Sequence, residues 1–256
     1  MSVAIPEQAV AALVAAERVV ILTGAGVSAG SGVPTFRESQ TGDWQQYDPR
    51  DLATPQGFMR NSRLVWEWYT WRRKLMERAK PNLAHYALVD MEQAIPEFLL
   101  ITQNIDGLHW AAGSRDMIEM HGNIARTKCF DEGIPVDSWE ETGEIPPHCP
   151  HCGGNLRPDV VWFGEGISTN VLNQAGTAIK KSDVFLCIGT AAMAAPAASF
   201  PLLAKRNAAR IIEINPEQTA STMMADWSIR GTCAEVVPEL VRRMGIPPIA
   251  LESAGG

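Results

Sequence analysis

The sequence has no apolar run long enough to cross a membrane, and this absence argues against a membrane partner. It also has no low-complexity tract, so its 256 residues are expected to form one sizeable core plus a smaller module. In the first twenty residues, the apolar pattern is interrupted by Glu7, Gln8, Glu17 and Arg18. A secretory signal peptide has no such interruption, so we expect none here.

Cysteine is scarce and provides no even set for a disulfide framework. The chain has five cysteines, which favours a reducing compartment, so we expect the protein to be cytoplasmic. Excess positive charge is also missing, because the formal net charge is −7 at pH 7. We therefore expect no direct nucleic-acid binding, whereas basic segments of other proteins would be attracted.

A glycine-rich turn directly follows a short strand-like run. Residues 19–22 are mostly β-branched, as in a buried parallel strand, and Gly24, Gly26 and Ala29 follow at the spacing of a dinucleotide-binding turn. Glycine lets the backbone approach a pyrophosphate closely, and the N-terminus of a following helix offers free N–H groups. The pattern predicts a strand, a phosphate-binding turn and a helix. A plain tight turn is the alternative.

One usual companion of this turn is absent. A hydride-transferring Rossmann enzyme has a second strand, which ends about 20 residues later in an acidic residue that holds the adenosine ribose. Residues 36–44 contain no β-branched run, so that strand is missing. We expect an ordered loop there. Glu213 and Asn215, at the end of a later strand, are expected to bind the ribose instead.

Other apolar runs and helical periodicities indicate an α/β protein. Strands are predicted over residues 97–102, 183–189 and 210–215, and helices over residues 7–16, 62–79 and 83–94. This order predicts a Rossmann-type parallel sheet with helices on both faces.

Two insertions interrupt this pattern and are expected to pack together as a small domain. Residues 38–80 would supply a helical module, and residues 123–158 a degenerate zinc-ribbon-like module. The Rossmann-type domain would then consist of residues 1–37, 81–122 and 159–256.

Polar residues follow the predicted strand at residues 97–102. Gln103, Asn104 and Asp106 stand where the carboxyl end of a parallel strand opens into a ligand crevice. The alternative is that Asn104 and Asp106 only cap the next helix. His121 ends another strand-like stretch and is a candidate general base, although a lone histidine is more often structural.

Three motifs, in this order, resemble the signatures of the sirtuins, the NAD-dependent protein lysine deacylases. They are GAGVSAGSGVPTFR at residues 24–37, TQNIDGLH at residues 102–109, and the pair His121-Gly122. The resemblance extends from about Val19 to Pro238. It implies that the protein is an enzyme with NAD as its cofactor.

The resemblance also implies roles for individual residues. His121 would be the catalytic general base, and Asn104 and Asp106 would place the reacting ribose. The implied cofactor-binding residues are Gly24, Ala25, Gly26, Ala29, Phe36, Arg37, Gln103, Asn104, Asp106, Gly189, Thr190, Asn215 and Cys233. Two positions depart from the family pattern, because Gly30 replaces the usual Glu and Ala191 replaces the usual Ser.

Cysteines in the second insertion indicate a zinc site. Cys149 and Cys152 are separated by two residues, which is the spacing of half a zinc knuckle. Sirtuins usually have a second such pair, of which only Cys129 is present, with Glu132 in place of its partner. A tetrahedral ion would need a fourth ligand from Glu132, Asp131, His148, His151 or water. Alternatively, the segment folds without metal.

The implied reaction is the NAD-dependent removal of acyl groups from lysine side chains of proteins, giving nicotinamide and O-acyl-ADP-ribose. Two alternatives stay open. A protein ADP-ribosyltransferase or NAD hydrolase would share the first step, and a non-catalytic NAD-sensing module would bind NAD without reaction. The expected partners are acylated lysines, and we expect a monomer.

Tyr69 and Arg72 predict which acyl group is removed. Three positions apart on a helix, their side chains project from one flank and can converge. Tyr-x-x-Arg, together with LRPDVVWFGE at residues 156–165, resembles the class III sirtuins and implies that succinyl and malonyl groups are favoured. Alternatively, Arg72 is a solvated surface charge.

Substrate is expected in the cleft between the two domains. Residues 160–163 would present an extended edge that the peptide joins as a strand, which makes Val161, Phe163 and Gly164 substrate contacts.

Overall fold

A computed structural model of the chain describes residues 3–33 and 44–248. The strands are β1 Arg18–Thr23, β2 Glu97–Thr102, β3 Met117–Glu119, β4 Gly122–Cys129, β5 Leu156–Val160, β6 Val184–Ile188, β7 Arg210–Ile214 and β8 Trp227–Ile229. The α-helices are α1 Glu7–Val14, α2 Pro49–Leu52, α3 Pro55–Arg60, α4 Ser62–Met76, α5 Leu83–Ala94, α6 Leu108–Ala112, α7 Thr169–Lys181, α8 Phe200–Arg206 and α9 Cys233–Arg243.

The main sheet has six strands in the order β3-β2-β1-β6-β7-β8, and every neighbouring pair is parallel. Alternate residues of a strand face opposite sides of the sheet. In β1, Val19 and Ile21 pack in one apolar cluster with residues of α1, α5 and α9, whereas Val20 and Leu22 pack in another with residues of α7 and α8. Helices therefore cover both faces, which confirms the predicted α/β Rossmann-type fold.

The turn after β1 differs from the prediction. Instead of an α-helix, the chain forms two short 3₁₀ turns, Ala25–Val27 and Ala29–Ser31, and Gly32 ends the second with φ +73°. Four of the nine residues from Gly24 to Gly32 are glycine. Each glycine costs about 1 kcal/mol in a helix relative to alanine, so a longer helix is not favoured.

Most other predicted elements are present with small differences at their ends. The helix at residues 83–94 and the strand at residues 97–102 have the predicted bounds. Helix α4 ends at Met76 rather than at residue 79, because the amides of Arg78 and Ala79 donate to carbonyls three residues back in a tighter turn. Helix α1 ends at Val14, and β6 and β7 are slightly shorter than predicted.

Helix α4 packs against the separate antiparallel sheet of β4 and β5. The Arg73 guanidinium donates to the carbonyl oxygens of Ile124 at 2.6 Å and Arg126 at 3.0 Å. Of the predicted small domain, the structure describes residues 44–80 and 123–158, and the name small domain is used below for these residues. The division into two domains stays a prediction, and its expected boundary at residue 159 falls inside β5. Within the described ranges, no helix is long and apolar enough to span a bilayer.

Candidate active site

A cavity of about 820 Å³ lies at the carboxyl ends of β1 and β2, beside α4 and the chain that follows β5. The expected site residues that line it are Ala25, Gln103, Asn104, Asp106, His121, Tyr69, Arg72, Val161, Phe163 and Gly164. Gly24, Gly26, Ala29, Gly189, Thr190, Asn215 and Cys233 are not among the lining residues. Phe36 and Arg37 lie outside the described residues.

Two glycine turns meet beside this cavity. The Gly26 amide donates to the Gly189 carbonyl oxygen at 2.9 Å, and a Cβ on Gly26 would stand 2.8 Å from Gly189 Cα. Gly189 itself has φ +60°, which disfavours any residue with a side chain. These turns leave backbone rather than side chains at the edge where parallel strands bind a dinucleotide. The arrangement fits a cofactor with a pyrophosphate.

Polar side chains join the turn after β6 to the strand ends beside it. Gln103 Nε2 donates to Thr190 Oγ1 at 2.8 Å, and Asn215 Nδ2 donates to the Thr190 carbonyl oxygen at 3.2 Å. Cys233 begins α9 and is buried, and burial raises the pKa of its thiol to about 11. Its thiol is therefore protonated at neutral pH, so it is not a reactive thiolate.

Glu213 does not have the ribose-binding role expected from the sequence. It is 1% exposed and accepts hydrogen bonds from Thr222 Oγ1 at 2.8 and 2.9 Å and from Thr219 Oγ1. Arg230 also contacts its carboxylate at 2.9 Å. These partners satisfy the carboxylate inside the protein, so Glu213 holds the loop after β7.

Sequence reasoning missed Ser28, which connects the glycine turn to the polar cluster. Its hydroxyl donates to Asp106 Oδ2 at 2.7 Å and accepts from Asn104 Nδ2 at 3.1 Å. Asn104 also donates to the Gly24 carbonyl oxygen at 3.2 Å. Ser28 is one of three hydroxyl residues in the first motif, with Ser31 and Thr35, and the sequence alone does not distinguish it from the other two.

Asp106 both caps a helix and lines the cavity, so the two interpretations of this residue are compatible. Its Oδ1 accepts from the Leu108 amide at the start of α6 at 2.9 Å. Burial raises the pKa of Asp106, although hydrogen bonds from Leu108 and Ser28 oppose the shift. The carboxylate is thus fixed on both oxygens and partly desolvated.

The imidazole of His121 has a defined tautomer. Its Nδ1 lies 2.9 Å from the Gln103 carbonyl oxygen, and because a carbonyl only accepts, Nδ1 carries the hydrogen. In the neutral ring, Nε2 then has a free lone pair. Burial lowers the pKa of His121, so the neutral form predominates at pH 7. This imidazole can accept a proton at Nε2.

Two other histidines are buried behind the cavity and differ from His121. His85 Nδ1 accepts from the Asn82 amide at 3.2 Å in a capping box, and His109 Nε2 lies 3.1 Å from Thr23 Oγ1. Burial lowers the pKa of His85 to about 4 and that of His109 well below the usual range. Neither lines the cavity, so His121 is the histidine placed for proton transfer.

Tyr69 and Arg72 both line the cavity, where Arg72 interacts electrostatically with Tyr69 and Asp106. They are 3% and 5% exposed, so the alternative of a solvated surface charge at Arg72 is wrong. Burial raises the pKa of Tyr69 to about 12, and burial also lowers the pKa of Arg72. Because an arginine pKa normally lies far above neutrality, the wall of the cavity contains a protonated phenol and a buried cation at these two positions.

The chain after β5 differs from the open edge that we expected for a peptide. The amide of Val161 donates to the His121 carbonyl oxygen, that of Trp162 to Glu165 Oε2, and that of Phe163 to the Ala53 carbonyl oxygen, each at 2.7–2.9 Å. These three N–H groups are therefore not available for an added strand. A peptide at this edge would have to use carbonyl groups.

A second cluster is suited to a metal ion. One ligand atom from each of Cys129, Glu132, Cys149 and Cys152 lies within 4.8 Å of the others. Of the five options for the fourth ligand, the structure places Glu132 with the thiols. Thiolate sulfur and carboxylate oxygen both bind zinc, and four ligand atoms suffice for tetrahedral coordination, so the donor set fits Zn²⁺.

The chain is similar to proteins of one family over most of its length. A family model described as the Sir2 family matches residues 24–196. A protein from Aquifex aeolicus named NAD-dependent protein deacylase is 49% identical over 215 residues, which cover 83% of this chain and 89% of that protein. A protein of the same name from Aeropyrum pernix is 48% identical over 227 residues, which cover 89% and 92%.

Solved structures give the same result. The crystal structure of a Sir2 homologue–NAD complex superposes with a TM-score of 0.87 at 42% identity and covers 95% of each chain. A Sir2 protein bound to a myristoylated histone peptide superposes with a TM-score of 0.73 at 32% identity, over 96% of this chain and 97% of that one. The fold, the motifs and these relatives agree, and the chain belongs to the Sir2 family.

Proposed function

We propose that this protein is an NAD-dependent protein lysine deacylase that favours succinyl and malonyl groups over acetyl groups. NAD-dependent protein deacylation follows from membership of the Sir2 family, with its close relatives of that name. The single observation that supports the acyl preference is the pair Tyr69 and Arg72, which are both buried and line the same cavity as His121. Cytoplasmic location and a monomeric state belong to the same proposal.

The residues around the cavity have different roles in the proposed reaction. When bound, NAD would supply the ribose carbon that exchanges nicotinamide for the acyl oxygen, and one water molecule would be consumed to release the amine, so the products would be free lysine, nicotinamide and O-acyl-ADP-ribose. Nε2 of His121 accepts a proton from a substrate hydroxyl. Asn104 and Asp106, both held by Ser28, orient the polar groups of the bound substrates. The glycine turns after β1 and β6 would hold the pyrophosphate.

Acyl selectivity would come from the guanidinium of Arg72 in the wall of the cavity. Asp106 lines the same cavity and attracts the guanidinium of Arg72, and a succinyl or malonyl carboxylate could in addition accept two parallel hydrogen bonds from it. An acetyl group has no atom for this interaction. A charge-assisted interaction of this kind is worth about 2–3 kcal/mol, or roughly 30- to 150-fold in kcat/KM.

The test compares succinyl-, malonyl- and acetyl-lysine peptides of one sequence. We expect higher kcat/KM for the two acidic acyl groups, and a reversed order for Arg72→Met. Arg63→Met is the matched control, because Arg63 lies on the same helix but is exposed and pairs with Glu67. Equal kcat/KM for acetyl and succinyl peptides, or an unchanged preference in Arg72→Met, would refute the preference.

Mass spectrometry of the products separates the activities that share the first chemical step. O-acyl-ADP-ribose indicates deacylation, ADP-ribosylated protein indicates transfer, and free ADP-ribose indicates hydrolysis of NAD.

A peptide whose acyl group ends in a primary amide, with the same shape as the succinyl group, is a further control for acyl selectivity. It keeps the size of the acyl group but removes its charge, so we expect it to react like the acetyl peptide.

A further inference from the structure

Trp162 forms a hydrogen bond with Tyr69, and both residues line the cavity. The indole Nε1 of Trp162 donates to Tyr69 Oη at 3.0 Å, and both side chains are buried. An indole N–H is a donor only. One side of the phenol oxygen is therefore occupied by an incoming hydrogen, and the hydroxyl hydrogen of Tyr69 has to point away from Trp162.

The direction of the Tyr69 hydroxyl hydrogen affects which chemical group can bind beside Tyr69 and Arg72. Trp162 donates to this hydroxyl oxygen, and Arg72 interacts electrostatically with the same side chain. Burial keeps the phenol protonated at neutral pH, with its pKa raised to about 12. The guanidinium of Arg72 carries donors and no acceptor. A carboxylate accepts hydrogen bonds and donates none, so it is the complementary group.

The ring of Trp162 is itself held in place by an ion pair. Arg157 Cζ lies 3.3 Å from the centroid of the indole ring, and Arg157 Nη2 donates to Glu165 Oε2 at 3.0 Å. The same Glu165 oxygen accepts from the Trp162 amide at 2.7 Å. Phe58 packs nearby, with its ring centroid 5.3 Å from that of Trp162. These contacts fix both the backbone and the ring that presents the indole N–H.

We propose that Trp162 is a positioning residue for acyl selectivity, because its indole N–H turns the Tyr69 hydroxyl hydrogen toward the cavity. Tyr69 and Arg72 then both direct hydrogen-bond donors into the cavity that they line. The inference rests on the proposed preference for acidic acyl groups and explains how a neutral phenol contributes to it. Without Trp162, the hydroxyl is free to turn its lone pairs toward the carboxylate.

The experiment measures the ratio of kcat/KM for succinyl- and acetyl-lysine peptides of one sequence in Trp162→Phe, Tyr69→Phe and the double variant. Tyr69→Phe removes a hydrogen bond to a charged acceptor and is expected to lower the ratio by about 10-fold or more. Trp162→Phe removes the orienting donor, and we expect a decrease of about 3- to 10-fold. The double variant should be no worse than Tyr69→Phe, since Trp162 acts through the hydroxyl.

Controls separate this role from a general effect on folding. Trp66→Phe is the matched variant, because Trp66 is a buried tryptophan of the small domain that does not line the cavity, and it should keep the wild-type ratio. The positioning role of Trp162 is overturned if Trp162→Phe lowers kcat/KM equally for both peptides. It is also overturned if the decreases in the kcat/KM ratio caused by Trp162→Phe and Tyr69→Phe multiply in the double variant. Equal kcat/KM in the wild type would overturn the acyl preference and this inference together.

A second measurement applies even if Trp162→Phe does not fold. The chain has eight tryptophans, whose indole N–H resonances can be followed by NMR after ¹⁵N labelling. In Tyr69→Phe, we expect one indole hydrogen to lose its hydrogen bond, shift and exchange faster with solvent. Eight indole resonances with unchanged shifts and exchange rates would overturn the inference.

Discussion

Gly26→Ala tests how the turns after β1 and β6 meet at the edge of the sheet. The added Cβ would stand 2.8 Å from both the Cα and the oxygen of Gly189. Both are backbone atoms, which cannot rotate away as a side chain can. The two turns would have to separate, and the 2.9 Å hydrogen bond from the Gly26 amide to the Gly189 carbonyl would weaken.

The cost follows from these two effects. Overpacking a close contact typically costs about 1–3 kcal/mol, and a lost backbone hydrogen bond about 1 kcal/mol. Together we expect a decrease of about 2–4 kcal/mol in the free energy of unfolding. For a protein of this size, each kcal/mol shifts Tm by roughly 2–4 °C, so Tm should fall by roughly 4–16 °C.

Thermal unfolding with and without NAD provides the assay. NAD should raise Tm less in Gly26→Ala than in the wild type, because a displaced turn binds the cofactor more weakly. The matched control is Gly176→Ala in α7, where a Cβ meets no atom within 4 Å and where alanine should stabilise the helix by about 0.5–1 kcal/mol. A Tm for Gly26→Ala within 1 °C of the wild type, with an undiminished response to NAD, would refute the reasoning.

Further predictions concern the general base and the metal site. His121→Ala should lower deacylation by about 100-fold or more, and full activity in this variant would exclude the assigned role. Because burial lowers the pKa of His121 and the base must be unprotonated, the acidic limb of kcat/KM against pH should have its midpoint below 6.5; a midpoint above that value would contradict the burial argument. The purified protein should contain up to one zinc. During dialysis against a chelator, Glu132→Ala should lose zinc faster than the wild type and Glu132→Cys should lose it more slowly. Metal analysis showing no difference among the wild type and these two variants would count against Glu132 as a ligand.

Local patterns in the sequence determined the elements of the main sheet. The apolar runs at residues 97–102, 183–189 and 210–215 each form a parallel strand, because a strand buried on both faces needs consecutive apolar side chains. Helix α5 has its predicted bounds, because Asn82 caps its first turn and the apolar periodicity ends near Ala94. Polar residues after β2 were likewise placed correctly at a cavity, since the carboxyl ends of parallel strands lie at one edge.

Contacts between residues distant in the sequence were decided only by the tertiary structure. Gly26 and Gly189 are brought together because β1 pairs with β6, and this close contact between the two turns has no signal in the local sequence. Glu213 was predicted to bind ribose, but Thr219, Thr222 and Arg230 satisfy its carboxylate, and no local pattern reveals such partners. Similarly, Glu132 was one of five possible ligands until folding placed it beside the three thiols. Sequence periodicity reports the environment of each element, whereas the partners of a side chain depend on how the elements pack.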